Sequence, residues 1–393
     1  MDARIVRRAI LPIAVFTTVL GALTGASVGG ATVAKSAPPS PIKSLVASLN
    51  GLSPKARETK LYNQAKTEGE VDFYTSLSKL IGPAVVDAFE AKYPGVKVNM
   101  YRASSEDVTA RVYQEAAANT AGADVVETNG TEMLFFQHRK NILIPYRQSP
   151  YAKQIPAAYR FDTFTADRIE DFVVAWNTNL VKPGSEPKTW ADLAQPQWAG
   201  KIAMEPSDVD WFAGAFQYME KQQLAKLKKA KTKAGQAKQL ANVDKGIQAT
   251  FQKMAKNAQI VSGHTTQATL LAAGQFSVVV SAHAQSVNKL IDKGAPVALK
   301  PFVQPVLVRP QGVGIAYRLK HPAAALLFYD FLLSPAGQKV LQDNGSEPAR
   351  NGMDSPELVG AKRYDIDLRP IVSHFKAWSD RYDALMRLGK TSG

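Results

Sequence analysis

The chain contains no cysteine, which excludes disulfides, thiolate metal sites and cysteine nucleophiles. That absence suits an exported protein that does not rely on oxidative folding. Histidine is sparse. His138, His264, His283, His321 and His374 stand singly, and no His-Glu-x-x-His arrangement occurs, so the usual zinc-hydrolase signature is missing. Gly25-Ala26-Ser27-Val28-Gly29 matches a nucleophile elbow in letters alone. No strand precedes it, and it sits among small residues near the N-terminus. No enzymatic activity is expected. Acidic residues are also in deficit, with 34 Asp and Glu against 48 Lys and Arg, a net charge of +14.

What is present begins with Arg4, Arg7 and Arg8, followed by an uncharged run over residues 9–33. Its centre is apolar and its end is rich in Gly, Ala and Ser. A basic start, apolar centre and small-residue end describe a secretory signal. The uncharged stretch also approaches membrane-spanning length, so residues 1–37 are expected to be a signal peptide or an N-terminal anchor. Without a cysteine after the run, a lipidated form is excluded. Arg7-Arg8 matches a twin-arginine signal weakly, leaving the general and twin-arginine routes open. The expected location is the periplasm or the outer face of the cytoplasmic membrane. Without residues 1–37 the charge is about +11, a balance that favours anionic ligands or surfaces. Much of the excess lies in residues 221–238, which hold seven lysines and no aromatic residue. That run reads as a solvated helix face, and no nucleic-acid partner is expected.

With 393 residues, 45% of them hydrophobic, the chain is long enough for one large or two medium domains. Ala37-Pro38-Pro39-Ser40-Pro41 opens a stiff linker expected over 38–55. Thereafter strand and helix patterns alternate. A helix over 56–68 leads to a strand over 71–75 and a helix over 79–93 that Pro94-Gly95 stops. A strand over 96–101 and a helix from Ser104, with Asp107 at capping-box spacing, follow. A strand over 123–127 completes a β-α-β-α-β order that calls for a parallel sheet covered by helices. Residues 172–176 form a further strand. A second unit then begins with a strand over 201–204 and a helix from Ser207, with Asp210 again at capping-box spacing. A lysine-rich helical region, a helix over 265–273 and a strand over 276–281 continue it. Residues 303–317 read as an extended return, with helices over 323–333, 334–341 and within 370–387. The expected fold class is α/β, with two α/β lobes joined by a two-crossing hinge. Lobe 1 takes 56–175 and 306–393, and lobe 2 takes 176–305. The cleft between them is the natural ligand site.

Several stretches carry a family likeness in their shared order. They are Ala65-Lys66-Thr67-Glu68-Gly69-Glu70-Val71-Asp72-Phe73-Tyr74-Thr75, then Phe89-Glu90-Ala91-Lys92-Tyr93-Pro94-Gly95-Val96-Lys97-Val98, then Ala123-Asp124-Val125-Val126. The most specific is Pro187-Lys188-Thr189-Trp190-Ala191-Asp192-Leu193 followed by Trp198-Ala199-Gly200-Lys201-Ile202-Ala203. Over roughly residues 58–350 the chain resembles the extracellular solute-binding proteins of ABC importers, with the type 2 periplasmic-binding fold. The branch it is similar to includes ferric-ion and phosphonate binders. The resemblance implies a monomer that needs no cofactor, captures a small solute in the cleft and delivers it to an ABC permease in the membrane.

In such a fold the ligand lies between strand ends and helix N-termini, where free N–H groups and the helix dipole suit an anion. The candidates at those places are Ser76 and Ser78, Asn129 and Thr131, Ser207 and Asp208, and His283. Each has a plainer reading: a cap for the serines, a turn around Gly130, a structural role for the histidine. Pro206-Ser207-Asp208-Val209 also resembles the segment where ferric-ion binders hold a synergistic anion. Trp176, at the first expected crossing, either lines the cleft or fills the core, and Trp211 carries the same ambiguity. The resemblance implies two adjacent tyrosines at about Ala284 and Gln285, and a histidine near Ser78, for ferric binding. This sequence has neither. The basic balance and the serines at helix starts make the expected solute a small anionic organic molecule such as a phosphonate, phosphate ester or carboxylate. Two alternatives stand beside it. One is a ferric-ion or other metal carrier with non-tyrosine ligands, His264 and His283 approaching each other beside Asp208. The other is an anchored sensory receptor of the same fold.

Overall fold

The computed structural model describes residues 40–79, 81–353 and 358–391. The signal or anchor expected over 1–37 lies outside them. The chain enters through α1 (Ser40–Ser48) and α2 (Pro54–Glu68) and builds β1 (Glu70–Thr75), α3 (Ile81–Lys92), β2 (Lys97–Arg102), α4 (Ser105–Ala117), β3 (Val125–Asn129) and α5 (Gly130–Gln137). The long β4 (Phe164–Asn177) then leads to β5 (Ile202–Met204), α6 (Val209–Lys226), α7 (Lys233–Lys256), β6 (Ala258–Ile260), α8 (His264–Ala272), β7 (Val278–His283), α9 (Ala284–Asp292) and β8 (Val297–Ala298). The chain returns through β9 (Val306–Ile315) to α10 (Pro322–Leu333), α11 (Pro335–Asp343) and β10 (Glu347–Pro348). It ends with β11 (Arg363–Asp365), α12 (Leu368–Ser373), α13 (Phe375–Met386) and β12 (Lys390–Thr391).

Local chemistry sets these boundaries. Ser53 caps α2 by accepting from the Ala56 N–H, Pro54 fills the first turn, and Gly69 closes the helix at φ 80°, a backbone region costly for residues with a Cβ. Ser104 caps α4 through the Asp107 N–H, as expected. Thr189 and Asp192 form a reciprocal capping box on the short 3-10 turn Trp190–Ala194. The segment expected as a linker instead contains α1. Ile42 and Leu49 at this start are buried, which ties it to the body of the protein.

The strands form one sheet in the order β12-β6-β5-β7-β4-β9-β3-β1-β2, with β8 and β10 on β4 and β11 on β9. Two parallel blocks are visible within it. One is β2-β1-β3 and the other is β12-β6-β5-β7. Between them β4 and β9 run antiparallel to each other, β4 antiparallel to β7 and β9 antiparallel to β3. These are the two crossings expected of the fold. Hydrophobic clusters flank the sheet, one built around Phe73, Phe89, Phe328 and Phe331, the other around Trp211, Phe212, Phe216 and Phe251. Burying each such ring contributes about 1.5–3 kcal/mol. Residues 323–333 of α10 are buried all round, which marks it as an interior helix.

The structure departs from expectation in two further places. Residues 370–387 hold parts of two helices, α12 and α13, where one was expected; α12 packs on α5 of the first block and on α6, and α13 on α6 and α7. Ile371, Val372, Tyr382 and Leu385 bury themselves in the second cluster, and β12 pairs with β6. In addition, β4 begins eight residues before the expected strand, at Phe164. Its early part is buried although it contains Asp167, Arg168 and Asp171.

Candidate functional site

The carboxyl ends of the strands in both blocks open onto one polar cavity of about 400 Å³. Residues at the starts of the six helices that follow the parallel strands line it, namely α3, α4, α5, α6, α8 and α9, together with Phe375 at the start of α13. This follows from the topology, because each parallel strand delivers the chain to the same edge before the next helix begins. At α5, α6, α8 and α9 the residue before the helix gives no side-chain cap. First-turn N–H groups there have no side-chain acceptor from their own caps. Gly130 at the start of α5 is required by packing, since a Cβ would lie 2.4 Å from the Pro310 carbonyl oxygen.

Charged groups reach the cavity from the two crossing strands and from the loops. Arg168 on β4 pairs with Glu127 at 3.1 Å and Glu170 at 3.2 Å. Arg309 on β9 donates to Asp210 at 2.5 Å, and Thr131 donates to the same carboxylate oxygen at 2.9 Å. Arg102, at the end of β2, donates through Nε to the Leu77 carbonyl at 2.8 Å. It pairs with no carboxylate among the described residues. Glu205 accepts from the Ser207 hydroxyl at 3.0 Å and from the Gly263 N–H at 2.5 Å.

Two histidines stack in the wall, with ring centroids 3.7 Å apart. His264 Nε2 lies 3.2 Å from Asp208, and His283 Nδ1 lies 3.3 Å from Glu170. Burial alone would depress His264, but Asp208, helped by Glu205 and Glu170, outweighs it and holds the ring up at about 9. Burial pushes His283 well below its usual range, and His264, Arg309 and Arg168 push it the same way. The opposite shifts place a single positive charge on the stack near neutrality, on His264. Burial also raises Glu132 to about 8, against the pull of Arg309, so near neutrality this carboxyl is mainly an O–H donor. Glu205 is raised by burial and by Asp208.

Of the residues singled out from the sequence, Ser76, Ser78, Asn129, Thr131, Ser207, Asp208 and His283 all line the cavity. Trp176 does not. It is 2% exposed and packs in the second cluster, and Trp211 is likewise buried in that cluster. The helix expected from Ser207 starts at Val209, because the Ser207 hydroxyl turns to Glu205 and the Asp210 carboxylate to Arg309. Ser78 does act as a cap, accepting from the Ile81 N–H at 3.3 Å. At the position where the family likeness implies tyrosines, Gln285 donates to the Asn344 carbonyl at 2.9 Å and borders the cavity. The reading of strand ends missed Arg102, Glu132, Arg168, Glu170, Glu205 and Arg309. The only local signal for Arg102 and Glu205 was their place at strand ends.

Two parallel blocks bridged by paired crossing strands, with helix starts gathered on one polar cavity, define a type 2 periplasmic binding protein. The profile of the bacterial extracellular solute-binding protein family matches residues 84–362, and the chain belongs to that family. Such proteins bind a small solute for a membrane permease and are transport proteins, not enzymes. A curated Fe(3+)-binding periplasmic protein from Serratia marcescens is 24% identical over 312 residues, covering 77% of this chain and 85% of its own. Iron-bound HitA from Pseudomonas aeruginosa superposes with a TM-score of 0.63 at 17% identity, over 80% of this chain and 99% of its own. The periplasmic binding protein AfuA from Actinobacillus pleuropneumoniae, with fructose 6-phosphate bound, gives 0.63 at 22% identity, over 82% and 100%. No helix among the described residues is long and apolar enough to cross a membrane.

Proposed function

We propose that this protein captures a small, hydroxylated organic anion, such as a phosphate ester, and delivers it to an ABC permease from the periplasm or the outer face of the cytoplasmic membrane. The observation that carries this reading is the convergence of six helix starts on one cavity, four of them without a side-chain cap. Such N–H groups at the positive ends of helix dipoles suit an anion. Arg102 adds a guanidinium with no carboxylate partner among the described residues. Ser76, Ser78 and Asn129 supply neutral donors, while Thr131 and Ser207, whose hydroxyls already donate to Asp210 and Glu205, are left to accept. His283, Asp208, Glu170 and Glu205 on the facing wall accept from ligand hydroxyls. The cavity volume suits a small metabolite, and AfuA with its bound fructose 6-phosphate is a precedent for this ligand class on the same fold. Ligand preference for a closed arrangement of the two blocks supplies the drive for closure.

A thermal-shift screen tests this directly, since ligand at a hundred times its Kd stabilises by about 2.7 kcal/mol. Sugar phosphates and phosphonates are expected to raise Tm, and Arg102→Ala to weaken the effect. Stabilisation by metal cations or polyamines, with none by organic anions, would sink the proposal. The second reading is a metal carrier, as the names of the Serratia and Pseudomonas proteins suggest for those proteins. Its support here is that Asp208 Oδ2, His264 Nδ1 and His283 Nε2 are buried without partners. Calorimetric binding of ferric or zinc ion that His283→Ala abolishes would favour it.

A further inference from the structure

The binding function leaves the hairpin between α6 and α7 without a role. The first half of α6 is buried as far as Phe216, and burial resumes in α7 at Val243. Residues 221–242 between them include no buried residue, and all seven lysines of the run are exposed. No Asp or Glu occurs between Glu220 and Asp244. The lysine ion pairs among the described residues use Lys92, Lys97, Lys320, Lys339 and Lys376, none of them in this run. Two large apolar side chains of the same hairpin are exposed as well, Leu227 at 46% and Leu240 at 43%.

A cluster of like charges without counter-charges contributes nothing to folding and repels itself. It becomes favourable against an anionic surface. The chemistry of that surface is indicated by the two leucines. A soluble polyanion offers charge alone, whereas a bilayer offers anionic headgroups with an apolar layer just beneath. Nucleic acid would call for aromatic stacking platforms, and the run has none. The hairpin is also well separated from the cavity. α6 starts at the cavity and has 18 residues, so its far end lies roughly 27 Å away.

We propose that this lysine-rich hairpin docks the protein onto an anionic phospholipid surface, with Leu227 and Leu240 entering the headgroup layer. The full-length chain is sedimented with vesicles of phosphatidylcholine alone or mixed with phosphatidylglycerol. The reading is the ratio of the two binding constants. Any contribution of residues 1–37 is common to wild type and variants. Wild type is expected to prefer the anionic vesicles at least about ten-fold, with the preference falling as salt rises. The combined variant Lys226→Glu, Lys228→Glu, Lys229→Glu and Lys231→Glu is expected to lose that preference. A milder Lys→Gln set at the same positions gives the same reading if charge reversal impairs folding, which a thermal melt detects. Leu227→Ser with Leu240→Ser is expected to lower anionic-vesicle binding about three-fold or more while leaving binding to soluble polyphosphate unchanged. An anionic preference that survives loss of the lysines overturns the proposal. So does tight polyphosphate binding with no preference among vesicles, which would point to a soluble acidic partner.

Discussion

Asp210→Ala is expected to be one of the costliest single changes around the cavity. Its carboxylate, in a residue only 5% exposed, is held by Arg309 and Thr131, and it also accepts from the Trp211 N–H at 2.8 Å. The carboxylate thus ties the first turn of α6 to β9 and to α5. Removing it leaves the Arg309 guanidinium, itself 5% exposed, without its closest counter-charge. Breaking a buried pair in this way costs about 3–5 kcal/mol. Arg309 borders the cavity, and Glu132 and Glu170 act on it as well, so about 2–4 kcal/mol is the better figure here. With unfolding entropy of about 2.1 cal/mol/K per residue over the folded chain, that loss lowers Tm by about 3–6 °C. Circular dichroism melts at neutral pH measure it. Arg309→Met alone is expected to cost a similar amount, because it strands Asp210. Asp210→Leu combined with Arg309→Met is expected to recover most of the loss, since no orphaned charge remains. If the double variant instead showed the sum of the two single losses, the pair would be energetically independent and the reasoning would be wrong.

The stacked histidines predict a pH signature. His264, raised to about 9, contributes stability that is fully present below its ordinary value of 6.5 and is lost as pH climbs through about 9. His283, pushed down, acts in the opposite sense, its contribution lost as pH falls below 6.5. Asp208→Asn is expected to flatten the part of the Tm decline between pH 6.5 and 9 that belongs to His264, and a wild-type-minus-variant difference constant across that window would contradict the assignment. Gly130→Ala drives a Cβ to 2.4 Å from the Pro310 carbonyl oxygen and 2.8 Å from Leu368. It is expected to cost about 1–3 kcal/mol in a denaturant titration and to weaken ligand binding by shifting Asn129 and Thr131. An unchanged midpoint would show that α5 can move off β9 freely.

The β1-α3-β2-α4-β3 order was legible because its side chains follow clean periods. Phe73, Val85 and Phe89 are buried, with polar residues between them and caps or glycines at the ends. The early half of β4 was not, because Asp167, Arg168, Glu170 and Asp171 look like a solvated loop to any local pattern. The partners of two of them lie across the sheet. Arg168 meets Glu127 of β3, and Glu170 meets His283 of β7, pairings that only the assembled register creates. The same reason explains the cavity. Helix starts after strands could be found by rule, so Ser76, Ser78, Asn129, Thr131, Ser207, Asp208 and His283 were placed at its wall. Arg168, Glu170 and Arg309 enter from the middle of long strands, where sequence gives no sign of which face looks into the cleft. One helix was visible within 370–387, but its division into α12 and α13 and their packing on α5, α6 and α7 were not, because apolar faces do not name their partners.

The measurement that bears most directly on the central claim is a calorimetric titration of the exported protein with a sugar phosphate and, separately, with ferric ion in the presence of citrate. The account predicts saturable binding of the sugar phosphate at one site, weakened at least about ten-fold by Arg102→Ala through loss of a charge-assisted contact. Tight ferric binding that depends on His283, with no heat from the sugar phosphate or any related anion, would contradict it.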